Sequence, residues 1–346
     1  GAAAGLLLPG LFLLFFLSGG VALLYETLWL RRLALLFGAT AVATSAALAA
    51  FMAGLGLGGY AGGRLAAHHR APLRLYGRLE LGLIAAAALV EPLLGAADSL
   101  LGWLYRRDAS PLTLDAARAA ASFAALILPT VLMGATLPAL AQAVVRSPAH
   151  LARRLGALYG SNTFGAAAGA FIAGFLLLPR LGVPGTRWTA VALNALVAAA
   201  ALLAGRVAPA APPGPLMGTP ADPLRATTLP IAAYALSGAI ALACEVVWTR
   251  TLVFYTGSTT YAFTVMLAVL LVGLATGGVI AGWLADRVAR PHTTLAALFV
   301  AIASGLIGGF LALPALARTL EAWAAADLSW HRVLVVTVSL AAATLL

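Results

Sequence analysis

The chain has 346 residues, 62% of them hydrophobic and only 9% charged, with a mean hydropathy of +1.00. An ordinary soluble domain, in which about a quarter of the residues are charged, is excluded. All 21 basic residues are arginine and the net charge is +10, but they are scattered over short loops without a basic helix or an aromatic-interleaved stripe. Contact with anionic lipid headgroups is therefore expected, and nucleic-acid binding is not.

A membrane-spanning helix needs about 20 apolar residues. Roughly ten stretches reach that length, at about 6–30, 38–63, 79–97, 118–145, 155–178, 188–205, 229–249, 259–284, 293–317 and 331–346. Runs this long predict helices rather than barrel strands. The first is too long for a signal-peptide core and has no basic leader, so it reads as a retained span. Between the sixth and seventh, Pro209, Pro212, Pro213, Pro215 and Pro220 exclude a helix, and 206–228 reads as a linker. The organisation predicted is an N-terminal six-helix bundle at 1–205 and a C-terminal bundle at 229–346 that contains about four helices. Arg64, Arg70, Arg74 and Arg78, between the second and third segments, are the densest basic group near the start. They put the N-terminus on the cytoplasmic side of what is expected to be a bacterial inner membrane. The single cysteine, Cys244, allows no disulfide within the chain.

Residues 18–66 reappear without a gap at 237–285, 219 positions later. Ser18-Gly19, Glu26, Trp29, Arg31, Gly38, Thr40, Gly54, Gly58-Gly59 and Gly63 match Ser237-Gly238, Glu245, Trp248, Arg250, Gly257, Thr259, Gly273, Gly277-Gly278 and Gly282. Glutamate, tryptophan and arginine are scarce here, so their recurrence in the same order marks a duplication. A repeat that keeps its orientation builds the two halves of several transporter folds, with the working site at their interface. Matched against the first half, the second is expected to be short of about two to three helices.

Glu26 and Glu245 are ionisable groups within spans, which are functional candidates by default. Each shares a helix face with the tryptophan three residues on, Trp29 or Trp248. Two readings stand: the acids face a shared cavity and bind a cation or carry protons, or Trp and Arg mark the interfacial belt and each Glu pairs with nearby Arg31 or Arg250. Glu80 is a further intramembrane acid, with Arg74 and Arg78 within reach. Gly54, Gly58 and Gly62, and Gly59 with Gly63, have the spacing of close helix packing, repeated as Gly273, Gly277, Ala281 and Gly278 with Gly282. Pro129 and Pro138 predict either a kink in the fourth segment or a break that exposes carbonyls. In the fifth, Tyr159 and Asn162 are substrate contacts or interhelical glue. The five histidines lack metal-ligand spacing, and neither a metal nor a cofactor is expected.

Gly62-Gly63-Arg64-Leu65-Ala66-Ala67-His68-His69-Arg70 and Ala281-Gly282-Trp283-Leu284-Ala285-Asp286-Arg287-Val288-Ala289-Arg290 resemble the loops after the second and eighth helices of the major facilitator superfamily. That likeness makes Arg64, Arg70, Asp286, Arg287 and Arg290 gating-loop candidates, although Ala67 stands where the second copy has Asp286. The Tyr25-Glu26…Trp29-x-Arg31 signature, Pro129-Thr130-Val131-Leu132-Met133-Gly134-Ala135-Thr136-Leu137-Pro138 and Leu158-Tyr159-Gly160-Ser161-Asn162-Thr163-Phe164-Gly165-Ala166 together resemble the membrane part of fused facilitator/spermidine-synthase proteins. The resemblance implies an all-α polytopic membrane protein built from major-facilitator-like parallel six-helix repeats. An aminopropyltransferase-like domain typically follows the helices in that family, but its nucleotide loop and acidic catalytic residues do not occur in this chain. Three functions are therefore expected in turn: a facilitator that transports or presents a small, polyamine-like metabolite; a non-transporting subunit of a larger membrane complex; or the anchor of a spermidine-synthase-like enzyme.

Overall fold

The computed structural model describes residues 2–38, 41–145, 151–208, 228–256, 259–285, 287–288 and 290–324. Among them the chain is helical without a strand: α1 (Ala2–Phe37), α2 (Ala41–His68), α3 (Pro72–Tyr105), α4 (Pro111–Val144), α5 (Leu151–Ile172), a π-helical turn (Ala173–Leu177), α6 (Leu178–Val207), α7 (Thr228–Thr256), α8 (Thr259–Ala285) and α9 (Pro291–Ala324). These helices occupy the first nine expected segments. The tenth segment and most of the linker lie outside the described residues. Seven helical stretches among the described residues are long and apolar enough to cross a membrane, and the protein is an integral membrane protein.

Local chemistry sets the ends of several helices. Pro72 and Pro111 occupy first-turn positions, where a missing N–H costs nothing, and the Ser110 hydroxyl accepts the Thr113 N–H at 3.2 Å. The run from Leu151 to Val207 has 57 residues, which as one straight helix would be roughly 85 Å long, far more than the ~30 Å hydrocarbon core. It divides at Gly182, whose φ of 64° is open to glycine and disfavoured for other residues. Pro184 follows and restarts the helix. Of the two readings for α4, the break is not the one found: the helix is continuous from Pro111 to Val144. It passes through both prolines, and the Thr130 and Thr136 hydroxyls donate to the Leu126 and Met133 carbonyls at 2.6 Å in the disturbed turns.

Packing among the helices relies on small residues. A Cβ added to Gly54 would lie 1.8 Å from Thr130 Oγ1, one on Gly58 2.0 Å from the Val131 carbonyl oxygen, and one on Gly134 2.2 Å from the Leu55 carbonyl oxygen. Thus α2 and α4 lie backbone against backbone. The same holds for α1 and α5, where Gly165 meets the Phe16 carbonyl and Gly169 meets Gly20. The second copy uses the other glycine face: Gly278 and Gly282 of α8 seat against Tyr159 and Gly156 of α5, while Gly277 is open. In α2 the matching Gly63 is open, and Gly59 has no neighbour closer than 3.9 Å.

These contacts put α1 at the centre of the first bundle. From Leu23 to Trp29 every residue is buried, the sign of a helix enclosed all round. One core cluster joins Tyr25, Trp29 and Leu33 to Phe51, Leu83 and Leu94; a second joins Phe15 to Tyr76, Leu79, Leu140 and Val197. Leu35, Leu57, Leu89, Leu128, Leu203 and Ile231 face outward, as suits a surface solvated by lipid.

The two glycine faces predict a selective cost. Gly58→Ala is expected to destabilise the detergent-solubilised protein by about 1–3 kcal/mol through overpacking, whereas Gly63→Ala is expected to leave the thermal midpoint unchanged. Thermal unfolding followed by circular dichroism measures both.

Candidate functional site

Two groups of polar side chains are enclosed within the spans. The first brings together the paired acids of the repeat. Glu26 on α1 is 4% exposed, Glu245 on α7 is 6% exposed, and each carboxylate lies within electrostatic reach of the other. Tyr25 stacks on Trp29, with ring centroids 5.3 Å apart and planes inclined by 13°. Trp248, one turn beyond Glu245, is buried. The Thr27 hydroxyl is turned back on the Leu23 carbonyl at 2.7 Å and is spent there.

The arginines of the repeated signature stand differently. Arg31 is exposed, and its neighbour Arg32 pairs with Glu91 of α3 at 3.3 Å. Among the described residues Glu26 has no arginine partner, so the reading in which it pairs with nearby Arg31 fails for the first copy. The side chain of Arg250 lies outside the described residues.

The second group surrounds Glu80, whose side chain is fully buried. The Ser18 hydroxyl of α1 donates to Oε1 at 2.6 Å, and the Asn194 amide of α6 donates to Oε2 at 2.7 Å. The Tyr76 hydroxyl stands beside the same carboxylate, and Tyr25 is within its electrostatic field. Arg74 and Arg78, which sequence proximity placed within reach of Glu80, point elsewhere. Both are exposed, and Arg74 donates to the Gly205 carbonyl at 2.9 Å. The reason is helical geometry, since residues two or six apart do not share a face. Sequence reasoning missed Ser18 and Asn194 as partners of this acid. A lone asparagine in the sixth apolar run, and a serine opening both repeats, were the available signals.

The remaining candidates are not brought to either group. Asn162 Nδ2 donates to the Phe15 carbonyl at 2.9 Å and Ser161 to the Phe12 carbonyl at 2.8 Å, so both fasten α5 to α1. Tyr159 lies against Gly278 at the α5–α8 contact. Arg64, Arg70, Arg287 and Arg290 are exposed at the ends of α2 and α8, with Arg64 over the Tyr60 ring at 4.4 Å and Arg287 over the Trp283 ring at 3.7 Å. Among the described residues none of these four forms an ion pair. Asp286 lies outside them.

The Glu80 group predicts a measurable stability effect. Ser18→Ala or Asn194→Leu removes a donor from a buried carboxyl group and is expected to cost about 1–3 kcal/mol. Asn162→Ala, which frees a neutral carbonyl, is expected to cost nearer 1 kcal/mol. Urea unfolding in mixed micelles ranks the three. Comparison with known proteins adds no identification: no family model, curated protein or solved structure matches this chain.

Proposed function

We propose that this chain is a facilitator-like membrane domain built on parallel six-helix repeats, and that it moves a small polyamine-like cation. Glu26 and Glu245 are the recognising groups. The observation that carries the reading is their joint placement: equivalent residues of two sequence repeats, one from each half, both buried in the spans and within each other's field.

Two carboxylates enclosed together in a medium of low dielectric repel one another and lose hydration. A cationic ligand between them relieves both penalties, and a ligand with two or more ammonium groups relieves them best. Trp29 and Trp248, each one turn on from its acid, add aromatic surface on which an ammonium or its methylene chain rests. A site composed of one residue from each half is also the arrangement that alternate rocking of the halves exposes to one side and then the other. The exposed arginines at the ends of α2 and α8 fit anionic headgroups, and the Arg64–Arg78 stretch supports a cytoplasmic position for that face in a bacterial inner membrane.

The test is uptake of radiolabelled spermidine by anionic-lipid proteoliposomes containing the full-length protein. Wild type is expected to accumulate the label above empty vesicles. Glu26→Gln and Glu245→Gln are each expected to lower uptake roughly tenfold or more, the worth of a charge-assisted hydrogen bond. Absence of uptake with stoichiometric copurification of another membrane protein would favour an accessory subunit. Aminopropyl transfer that requires sequence outside this chain would favour an enzyme's anchor.

A further inference from the structure

Glu80 is not used by the cation site, yet it is the most elaborately enclosed acid among the described residues. We propose that Glu80, with Ser18, Tyr76 and Asn194, forms a proton-binding site inside the first bundle, and that its occupancy by a proton opposes occupancy of Glu26 and Glu245 by a cation. The second half of this proposal rests on the cation reading above; the first half does not.

Three helices converge on the carboxyl group, and among the described residues none supplies a cation. From α1 come Ser18 and Tyr25, from α6 Asn194, and from α3 itself Tyr76, while Arg74 and Arg78 of α3 are exposed. Helix α4 faces this level of α3 with Leu132, which lies near Gly82, and its charged residues Asp115 and Arg118 pair with each other close to the opposite end. A buried ionised carboxylate without a cation is costly unless it is hydrogen-bonded or binds a proton.

The donor set suits both states. The Ser18 hydroxyl donates to the carboxylate, and after turning it, or the unpartnered Tyr76 hydroxyl beside the acid, accepts from a carboxylic acid. An arriving proton bonds to one Glu80 oxygen, and the hydroxyl facing it turns to accept. On release the proton returns to solvent and the hydroxyl turns back to donate. Three buried atoms, Asn194 Oδ1 and the Tyr25 and Tyr76 hydroxyls, have no hydrogen-bond partner among the described residues and leave spare capacity beside the acid. A purely structural knot would be expected to use them.

Position links this site to the other. Ser18, which holds Glu80, and Glu26 are separated by about 12 Å along α1. A unit positive charge about 12 Å from a carboxyl group changes its proton affinity about tenfold at an effective dielectric constant of about 20. Tyr25, adjacent to Glu26 and within the field of Glu80, lies between them. Cation binding is thereby expected to expel a proton, and proton binding to expel the cation.

Two measurements test the two halves separately. Infrared difference spectra of the full-length protein in detergent, recorded across a pH titration, should show a carboxylic-acid C=O band that disappears in Glu80→Gln and persists in Glu26→Gln. Ser18→Ala, which keeps the acid but removes one hydrogen bond, should move that band to higher frequency without abolishing it. This variant preserves the assignment if Glu80→Gln fails to fold. A band unchanged in both variants would overturn the proton site. In weakly buffered solution, spermidine should release about one proton per protein from wild type, and none from Glu80→Gln that still binds spermidine. Binding without release in wild type overturns the coupling. An intact Glu80 band in a protein that does not bind spermidine leaves the proton site standing and removes the cation reading instead.

Discussion

Close approach of helix backbones is the constraint on which everything else in this protein depends. Among lipid tails, apolar side chains gain little by leaving their surroundings for one another, so association relies on dispersion contacts and interhelical hydrogen bonds. Both strengthen as backbones come nearer. Gly54 and Gly58 against α4, and Gly165 and Gly169 against α1, permit that approach, and Ser161 and Asn162 then reach carbonyls of α1. Enclosing α1 in this way buries Ser18, Tyr25 and Glu26 on its successive turns. The polar groups are thus consequences of the packing as much as of their own chemistry.

Each enclosed acid meets the problem of burial differently. Glu80 accepts from neutral donors on two neighbouring helices, α1 and α6, an internal solvation shell supplied by the fold. Glu26 has an aromatic neighbour one turn on and the field of a second carboxylate, with no equivalent shell of donors among the described residues. An acid held by neutral donors needs no cation beside it. An acid set against another acid is stabilised by an arriving positive charge, and the two environments therefore invite different guests.

Much of this was legible in the sequence, for identifiable reasons. Long apolar runs located the helices because a bilayer fixes their length, and the glycine spacings pointed to the faces that pack. The exchange of faces between α2 and α8 was not legible, since identical glycines in both copies carry no mark of which neighbour they will meet. The partners of Glu80 were equally hidden. Ser18 and Asn194 lie 62 and 114 positions away, and helical periodicity reports which residues share a face but not which faces cross. For the same reason Arg78, two residues from Glu80, was a misleading neighbour. At Pro129 and Pro138 the sequence left a kink or a break open, and the Thr130 and Thr136 hydroxyls that bond carbonyls in those turns of the unbroken α4 carry no mark of which carbonyl they will meet.

The contact between α5 and α8 carries a mechanical consequence. It is the most extensive contact between the two halves among the described residues, and it is lined by Gly156, Gly160, Gly278 and Gly282. Where long side chains interlock, one element can move past another only in steps, by lifting each side chain out of its socket and into the next. In this seam the glycines are themselves the sockets, Gly278 receiving the Tyr159 ring and Gly160 the Val279 side chain. Displacement along it therefore proceeds by whole notches, like a ratchet, and not by gradual creep. The first bundle is knotted by hydrogen bonds through α1, α3, α5 and α6, and this notched seating is what registers α8 against it.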